Sequence, residues 1–214
     1  MIKHTPFTVD IFETTYEPFN QEVTVDFCKM VSKSKPGRTL SNNNGYQSDD
    51  DLHYYKQMRK FFIWLTQSSK EAFHGYGFNP KAVEIQSSWF NINHGLNSHN
   101  QVHIHDGIVS GVFFVSAPEG SGKLRLINNG MNQLWQGHLN AEQENSNNSY
   151  SIFINPVPGK CYFWPSYLMH SVDCNTKDVE RISISFNLSL PFSRDDIQSR
   201  SKCFNIDGSC VLYV

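Results

Sequence analysis

Charge of one sign is what this sequence most lacks. Its 18 Lys and Arg stand against 20 Asp and Glu, a formal net charge of −2, which gives no electrostatic footprint for nucleic acid or an anionic membrane. Long apolar runs are scarce in the first stretch too: "MIKHTPFTVDIFETTYEPF" is broken by prolines and acids, so we expect neither a signal peptide nor a spanning helix in it. Cysteine is sparse. The five, Cys28, Cys161, Cys174, Cys203 and Cys210, show no CxxC or zinc-ribbon spacing. We expect reduced thiols in a cytoplasmic protein, although Cys203 and Cys210 are spaced so that they could close a loop. A phosphate loop is absent as well. "APEGSGKL" has Ala117 where the first glycine belongs and Leu124 where a hydroxyl belongs, and it sits between strands rather than before a helix.

What the chain has is aromatic apolar mass: 39% hydrophobic residues, with 16 Phe and 9 Tyr among 214. That suits one globular domain with a sizeable core. Two helices are expected early. "NQEVTVDFCKMVSK" (Asn20–Lys33) lines up Val23, Phe27, Met30 and Val31, with Asn20 placed to cap and "KPG" at Lys35–Gly37 to stop it. After the polar loop "SNNNGYQSDDD", helical spacing joins Leu52, Tyr55, Met58, Phe62, Leu65, Ser69 and Phe73, and Gly75 and Gly77 end it. Both helices look like cover for something flat. The aromatics Tyr55, Phe61, Phe62 and Trp64 read as core packing.

From Val83 onward the period changes. "VEIQSSWFNIN", "VHIHDGIVSGVFFVSA", "KLRLIN", "SIFINPVPGKCYFWPS" and "RISISFNLSL" are short, alternating, and separated by Gly, Pro or Asn turns, the pattern of an antiparallel sandwich or jelly roll. In "RISISFNLS", Ile182, Ile184, Phe186 and Leu188 face one way and Arg181, Ser183, Ser185 and Asn187 the other. The expected class is α+β in a single domain: a helical part over about 17–78, a β core over about 83–190 and a C-terminal extension over 191–214. The Asn-rich stretch from Asn128 to Tyr150 reads as a long loop and a candidate lid.

Chemistry concentrates in a few side chains. In "HIH", strand alternation turns His103 and His105 to the same side. A further imidazole, His170, comes from the distant "YFWPSYLMHSV", and together the three suit a metal site. Downstream, Arg181 and Ser183 share a strand face, and a guanidinium fork with a hydroxyl suits a carboxylate. Asn91 and Trp89 alternate on the strand before the histidines, Asn91 as a cosubstrate contact and Trp89 as packing. Ser110 matches the histidine face only if the chain turns at Asp106-Gly107. His94, His99 and His138 are loop histidines, with His99 the best placed to touch substrate.

H-x-H, a distant His and R-x-S resemble the 2-oxoglutarate/Fe(II)-dependent dioxygenases, whose usual order is H-x-D/E, H and R-x-S on a double-stranded β-helix. More narrowly, "SNNNGYQSDDDL" (Ser41–Leu52), "SSWFNINHGLNSHNQVHIHDGIVSGVFFV" (Ser87–Val115) and "GKCYFWPSYLMHSV" (Gly159–Val172) resemble a phage and bacterial 2-oxoglutarate–Fe(II) oxygenase family, over roughly residues 40–190. Two departures stand out. The Gly95–His103 segment is about two residues longer than the family spacing, and Asp106 stands where the narrower family has Pro. His105 occupies the usual carboxylate position. Adjacent residues face opposite sides, so Asp106 completes the triad in its place only if a bulge turns it inward.

The resemblance implies a double-stranded β-helix (jelly roll, cupin-like) with N-terminal covering helices. It implies Fe(II) held by His103, His105 and His170, with 2-oxoglutarate held by Arg181, Ser183 and Asn91. The implied reaction is hydroxylation of a peptidyl, prolyl or small-molecule substrate, in the host cytoplasm if the chain is phage-encoded; neither nucleic acid nor a membrane is the expected partner. The alternative is a cupin-type metal protein, an isomerase or sensor that leaves 2-oxoglutarate untouched. A cupin wants Glu a few residues after the second His, and Asp106–Ser110 contains none. A jelly-roll binding module without turnover is a third class, which would have no need of converging histidines.

Overall fold

The computed structural model describes residues 8–128 and 149–191, with the backbone of 202–204 and 210–212. A short strand, β1 (Phe12–Thr15), precedes helix α1 (Gln21–Ser34). Asn20 caps α1, its side chain accepting from the Val23 amide at 3.1 Å, an interaction worth about 1 kcal/mol. Phe27, Cys28 and Val31 form the buried edge of this helix. The predicted stripe is narrower than its spacing suggested, since Val23 and Met30 are exposed and the small Cys28 thiol takes their place. Two 3-10 turns over 52–58 lead into α2 (Arg59–Gly75), which buries Phe61, Phe62, Leu65, Ser69, Ala72 and Phe73.

The polar stretch after α1 is more than a loop. It contains β2 (Asn42–Asn43) and β3 (Gly45–Gln47), followed later by β4 (Glu84–His94), β5 (His99–His103), β6 (Val109–Ser116), β7 (Leu124–Ile127), β8 (Ser151–Ile154), β9 (Lys160–Pro165), β10 (His170–Val172) and β11 (Glu180–Ser189). A last hairpin pairs β12 (Lys202–Phe204) with β13 (Cys210–Leu212). Side chains of Cys203 and Cys210, and residues 129–148 of the candidate lid Asn128–Tyr150, lie outside the described residues.

Pairing is antiparallel in two sheets of jelly-roll type: β1-β9-β6-β11-β4-β3 in one and β2-β5-β10-β7-β8 in the other. Alternation on β11 sorts its side chains. Ile182, Ile184, Phe186 and Leu188 join the helix residues Phe27, Phe61, Leu65 and Phe73 in the larger apolar cluster. Between the sheets lies a smaller cluster with Val112, Phe114, Leu126 and Trp164. On the helix-facing side of the larger sheet Gly111 permits a close approach, because an added Cβ would lie 2.3 Å from the Tyr162 carbonyl oxygen and 2.4 Å from the Phe186 ring. Among the described residues no helix is long and apolar enough to cross a membrane.

Candidate metal centre

Register brings the distant histidines together. β10 pairs with β5 so that His170 lies opposite His103. The chain leaves β5 after His103, and the His105 amide donates to the Ser166 carbonyl at 3.1 Å, which ties the second histidine to the segment just before β10. One ligand-capable atom from each of the three rings falls within 4.8 Å of the others. Asp106 is exposed in the bend that follows and stands outside this cluster.

Proton placement follows from the backbone. His103 Nδ1 lies 2.6 Å from the Gln101 carbonyl and His170 Nδ1 2.9 Å from the Leu168 carbonyl. A carbonyl only accepts, so both Nδ1 atoms carry the hydrogen and each Nε2 lone pair is left bare, with the backbone carbonyls fixing the ring orientation as they do for histidines on metals. His170 Nε2 sits 3.2 Å from His105 Nε2. Metal–nitrogen bonds of about 2.0–2.1 Å place neighbouring donors roughly 3 Å apart, so this spacing fits two nitrogens sharing one cation. Burial, helped by the neighbouring histidines, pushes His105 down to about 3, and burial first and then His103 push His170 down to about 4. Burial also lowers His103. Neutral imidazoles are the metal-binding form. Trp89 packs edge-on to His105 at 5.2 Å and Trp164 to His170 at 5.1 Å.

Deeper in the same pocket lies Arg181, 1% exposed. Its Nη1 donates to Asn93 Oδ1 at 3.2 Å and to Ser183 Oγ at 3.3 Å, while Nε and Nη2 have no partner among the described residues. Phe114 lies under the guanidinium at 5.2 Å. Burial brings this group down to about 10, so it stays cationic at neutral pH. Among the described residues the pocket's wall holds the three histidines, Arg181, Ser183, Ser185, Asn91 and Asn100, and no carboxylate. A buried cation without a counter-ion is costly, and an incoming carboxylate satisfies it. Asn91 points here too, with Oδ1 unpaired and Nδ2 3.4 Å from Ser185 Oγ.

Other sequence candidates lie elsewhere. Ser110 is buried in a polar chain, within 2.8 Å of both Ser166 Oγ and Asn187 Oδ1. His94 pairs with Glu180, and His99 bonds the Asn97 carbonyl; neither lines the pocket. His138 lies outside the described residues. Sequence reasoning missed Asn93, which shares the inward parity of Asn91 on β4 and holds Arg181. It also missed Asn100 and Ser41, bonded to each other at 3.2 Å, with Asn100 in turn 3.1 Å from Asn93.

On a fold of jelly-roll type, three converging imidazoles thus share a pocket with a buried guanidinium whose Nε and Nη2 lack partners among the described residues. Residues 87–187, the segment that carries the histidines, Arg181 and Ser183, match the family described as "Putative 2OG-Fe(II) oxygenase". No curated protein matches the sequence. Among solved structures, a prolyl-4-hydroxylase of Pseudomonas putida is similar at 12% identity and TM-score 0.59, over 86% of this chain and 95% of that one. An alpha-ketoglutarate-dependent epimerase from nogalamycin biosynthesis is similar at 11% identity and TM-score 0.62, over 84% and 76% of the two chains. A Trichoplax adhaerens prolyl hydroxylase, solved with a peptide fragment of hypoxia inducible factor, shares 12% identity and TM-score 0.59 over 89% and 87%. The matched family is one of oxidoreductases that use Fe(II) and 2-oxoglutarate.

Proposed function

We propose that the protein is an Fe(II)- and 2-oxoglutarate-dependent hydroxylase. His103, His105 and His170 hold the metal, and Arg181, Ser183 and Asn91 hold the cosubstrate. One observation carries this reading: a single acid-free pocket joins three imidazoles to a buried arginine with unpaired N–H groups. When bound, the metal supplies one-electron dioxygen chemistry, fuelled by oxidative decarboxylation of 2-oxoglutarate to succinate and carbon dioxide.

The chain's own groups do the positioning. Arg181 presents Nε and Nη2 as a fork to the distal carboxylate, and Ser183 adds a hydroxyl donor. Asn93 fixes the guanidinium plane. A half-turn of the Asn91 carboxamide presents Nδ2 to the same ligand. Trp89, Trp164 and Phe114 keep bulk water out, which strengthens each of these contacts. Three neutral imidazoles do not offset the charge of a divalent ion, so the dianionic cosubstrate and the metal bind cooperatively, each raising affinity for the other. A cupin-type site would leave the unpaired Arg181 unexplained.

The test is succinate release from 2-oxoglutarate with Fe(II) in air. His103→Ala should abolish it, and Arg181→Ala should raise the KM for 2-oxoglutarate by roughly 30- to 100-fold, the loss of charged hydrogen bonds worth about 2–3 kcal/mol. His105→Asp should retain measurable turnover, since a carboxylate there still faces the metal. A protein that binds iron but neither binds nor consumes 2-oxoglutarate belongs instead to the cupin reading.

A further inference from the structure

Beside the metal centre opens a second cavity of about 320 Å³, at the low end for ligand sites. It shares His103, His105, Trp89 and Ser41 with the inner pocket. A molecule seated in it therefore touches the same histidines without occupying the Arg181 pocket.

Three features of its wall are selective. Gln47 is only 5% exposed, lines the cavity, and makes no side-chain hydrogen bond among the described residues. Its amide atoms are open to the cavity rather than sealed among the protein, and they offer an occupant one donor edge and one acceptor edge. Next to it, Arg38 Nη1 pairs with Asp50 Oδ2 at 3.0 Å, so the charged part of the wall is neutral overall. Leu40 and Ile104 are 59% and 56% exposed at this site, an apolar rim flanking the polar floor.

We propose that this cavity is the primary-substrate cleft and that it takes an uncharged amide group. Gln47 pairs with the amide N–H and C=O, and the Arg38–Asp50 pair disfavours free acids and free amines. A secondary amide has the same planar donor–acceptor complement as Gln47. An anion would compete for Arg38 and leave Asp50 unpaired, and a cation would do the reverse. Leu40, Ile104 and Trp89 then contact the side chain beside the amide. The proposal rests on the oxygenase reading above.

The test is calorimetric binding to the protein loaded with Fe(II) and 2-oxoglutarate without oxygen, so that no turnover occurs. The probes are N-acetylated, C-amidated tripeptides, the blocked single amino acids, and their free counterparts with the same side chains. Blocked probes should bind at least about tenfold tighter than free ones, and Gln47→Met and Gln47→Glu should each reduce that affinity about tenfold, the value of one or two neutral hydrogen bonds. Thermal midpoints check that both variants fold. Tripeptides binding tighter than blocked single residues identifies a polypeptide as the source; equal binding identifies a small amide. If 2-oxoglutarate binds but free probes bind equally well, no probe binds, or neither Gln47 variant changes affinity, the proposal is overturned alone. If 2-oxoglutarate itself fails to bind, the oxygenase reading falls and takes the cleft with it.

Discussion

Strand β11 serves two environments at once. Its even-numbered residues Ile182, Ile184, Phe186 and Leu188 pack into the apolar cluster that includes α1 and α2. Of its odd-numbered residues, Arg181, Ser183 and Ser185 line the inner pocket and Asn187 the outer cleft. β6 repeats the division, with Phe113 and Val115 in the large cluster and Val112 and Phe114 between the sheets. The helix-side face is satisfied within the chain, and burial alone stabilises it. The inner face is left short of partners at Arg181 and Asn91. Stability therefore concentrates on one side of a single sheet and ligand affinity on the other, and substitutions on the two sides should separate cleanly.

The largest effect should come from the helix side. Phe186 is fully buried against Gly111 and the Phe163 ring, whose centroid lies 5.5 Å away. Phe186→Ala removes that packing and leaves a cavity, a loss of about 3–5 kcal/mol. Denaturant unfolding measures it. In the fraction that remains folded, the affinity for 2-oxoglutarate should match the parent's. A shift in affinity comparable to the loss in stability would break the division between the faces.

That division was legible in the alternation of "RISISFNLS", because a strand with one apolar side writes its orientation into every second residue. The histidine cluster was legible only in part. Parity put His103 and His105 on one side and left Asp106 facing away unless a bulge turned it inward; the structure leaves Asp106 exposed and ties the amide of His105 to Ser166, far along the chain. Gln47 and Asn100 were harder still, whereas Asn93 carried the parity of Asn91 and could have been found by it. Gln47 and Asn100 sit in polar stretches without period, where a residue turned inward by pairing looks the same as one in solvent. β1 and the pair β2 and β3 went unseen for a related reason. Four-, two- and three-residue strands are too short to show alternation, and they form because longer neighbours offer open edges.

A smaller effect of opposite sign is expected from the inner face. Arg181 is a buried cation with two unpaired nitrogens, so it destabilises the protein when no cosubstrate is present. Arg181→Met keeps most of the side-chain volume and removes the charge. Without 2-oxoglutarate, stability should rise by about 1–3 kcal/mol. With saturating 2-oxoglutarate the parent gains by ligand linkage while the variant gains little, so the order of thermal midpoints should reverse. If Arg181→Met is destabilising in both conditions, the arginine is structural and the contrast between faces has been drawn in the wrong place.

The smallest effect uses pH to tell the faces apart. Cys28 and Cys161 both lie in the helix-side cluster and are fully buried. Burial pushes the Cys28 thiol up to about 12 and raises Cys161 well above the usual range. In the unfolded chain both ionise near the ordinary thiol value of 9.0, while the folded protein keeps both protons. Below that value the two states hold the same protons at these sites, and stability is unaffected. Above it the unfolded chain holds fewer, so each thiol removes about 1.4 kcal/mol of stability per pH unit. For Cys28 this continues until its folded value near 12 is reached. Between pH 9 and 10 the tyrosines whose values burial raises, Tyr16, Tyr46, Tyr76 and Tyr162, begin to add to the decline, since their ordinary value is 10.0. Unfolding curves across that interval should show the decline in the parent and in Arg181→Met alike, and a flatter profile in Cys28→Ala combined with Cys161→Ala. A decline undiminished by the double cysteine replacement would mean that the alkaline sensitivity does not arise from the helix-side thiols.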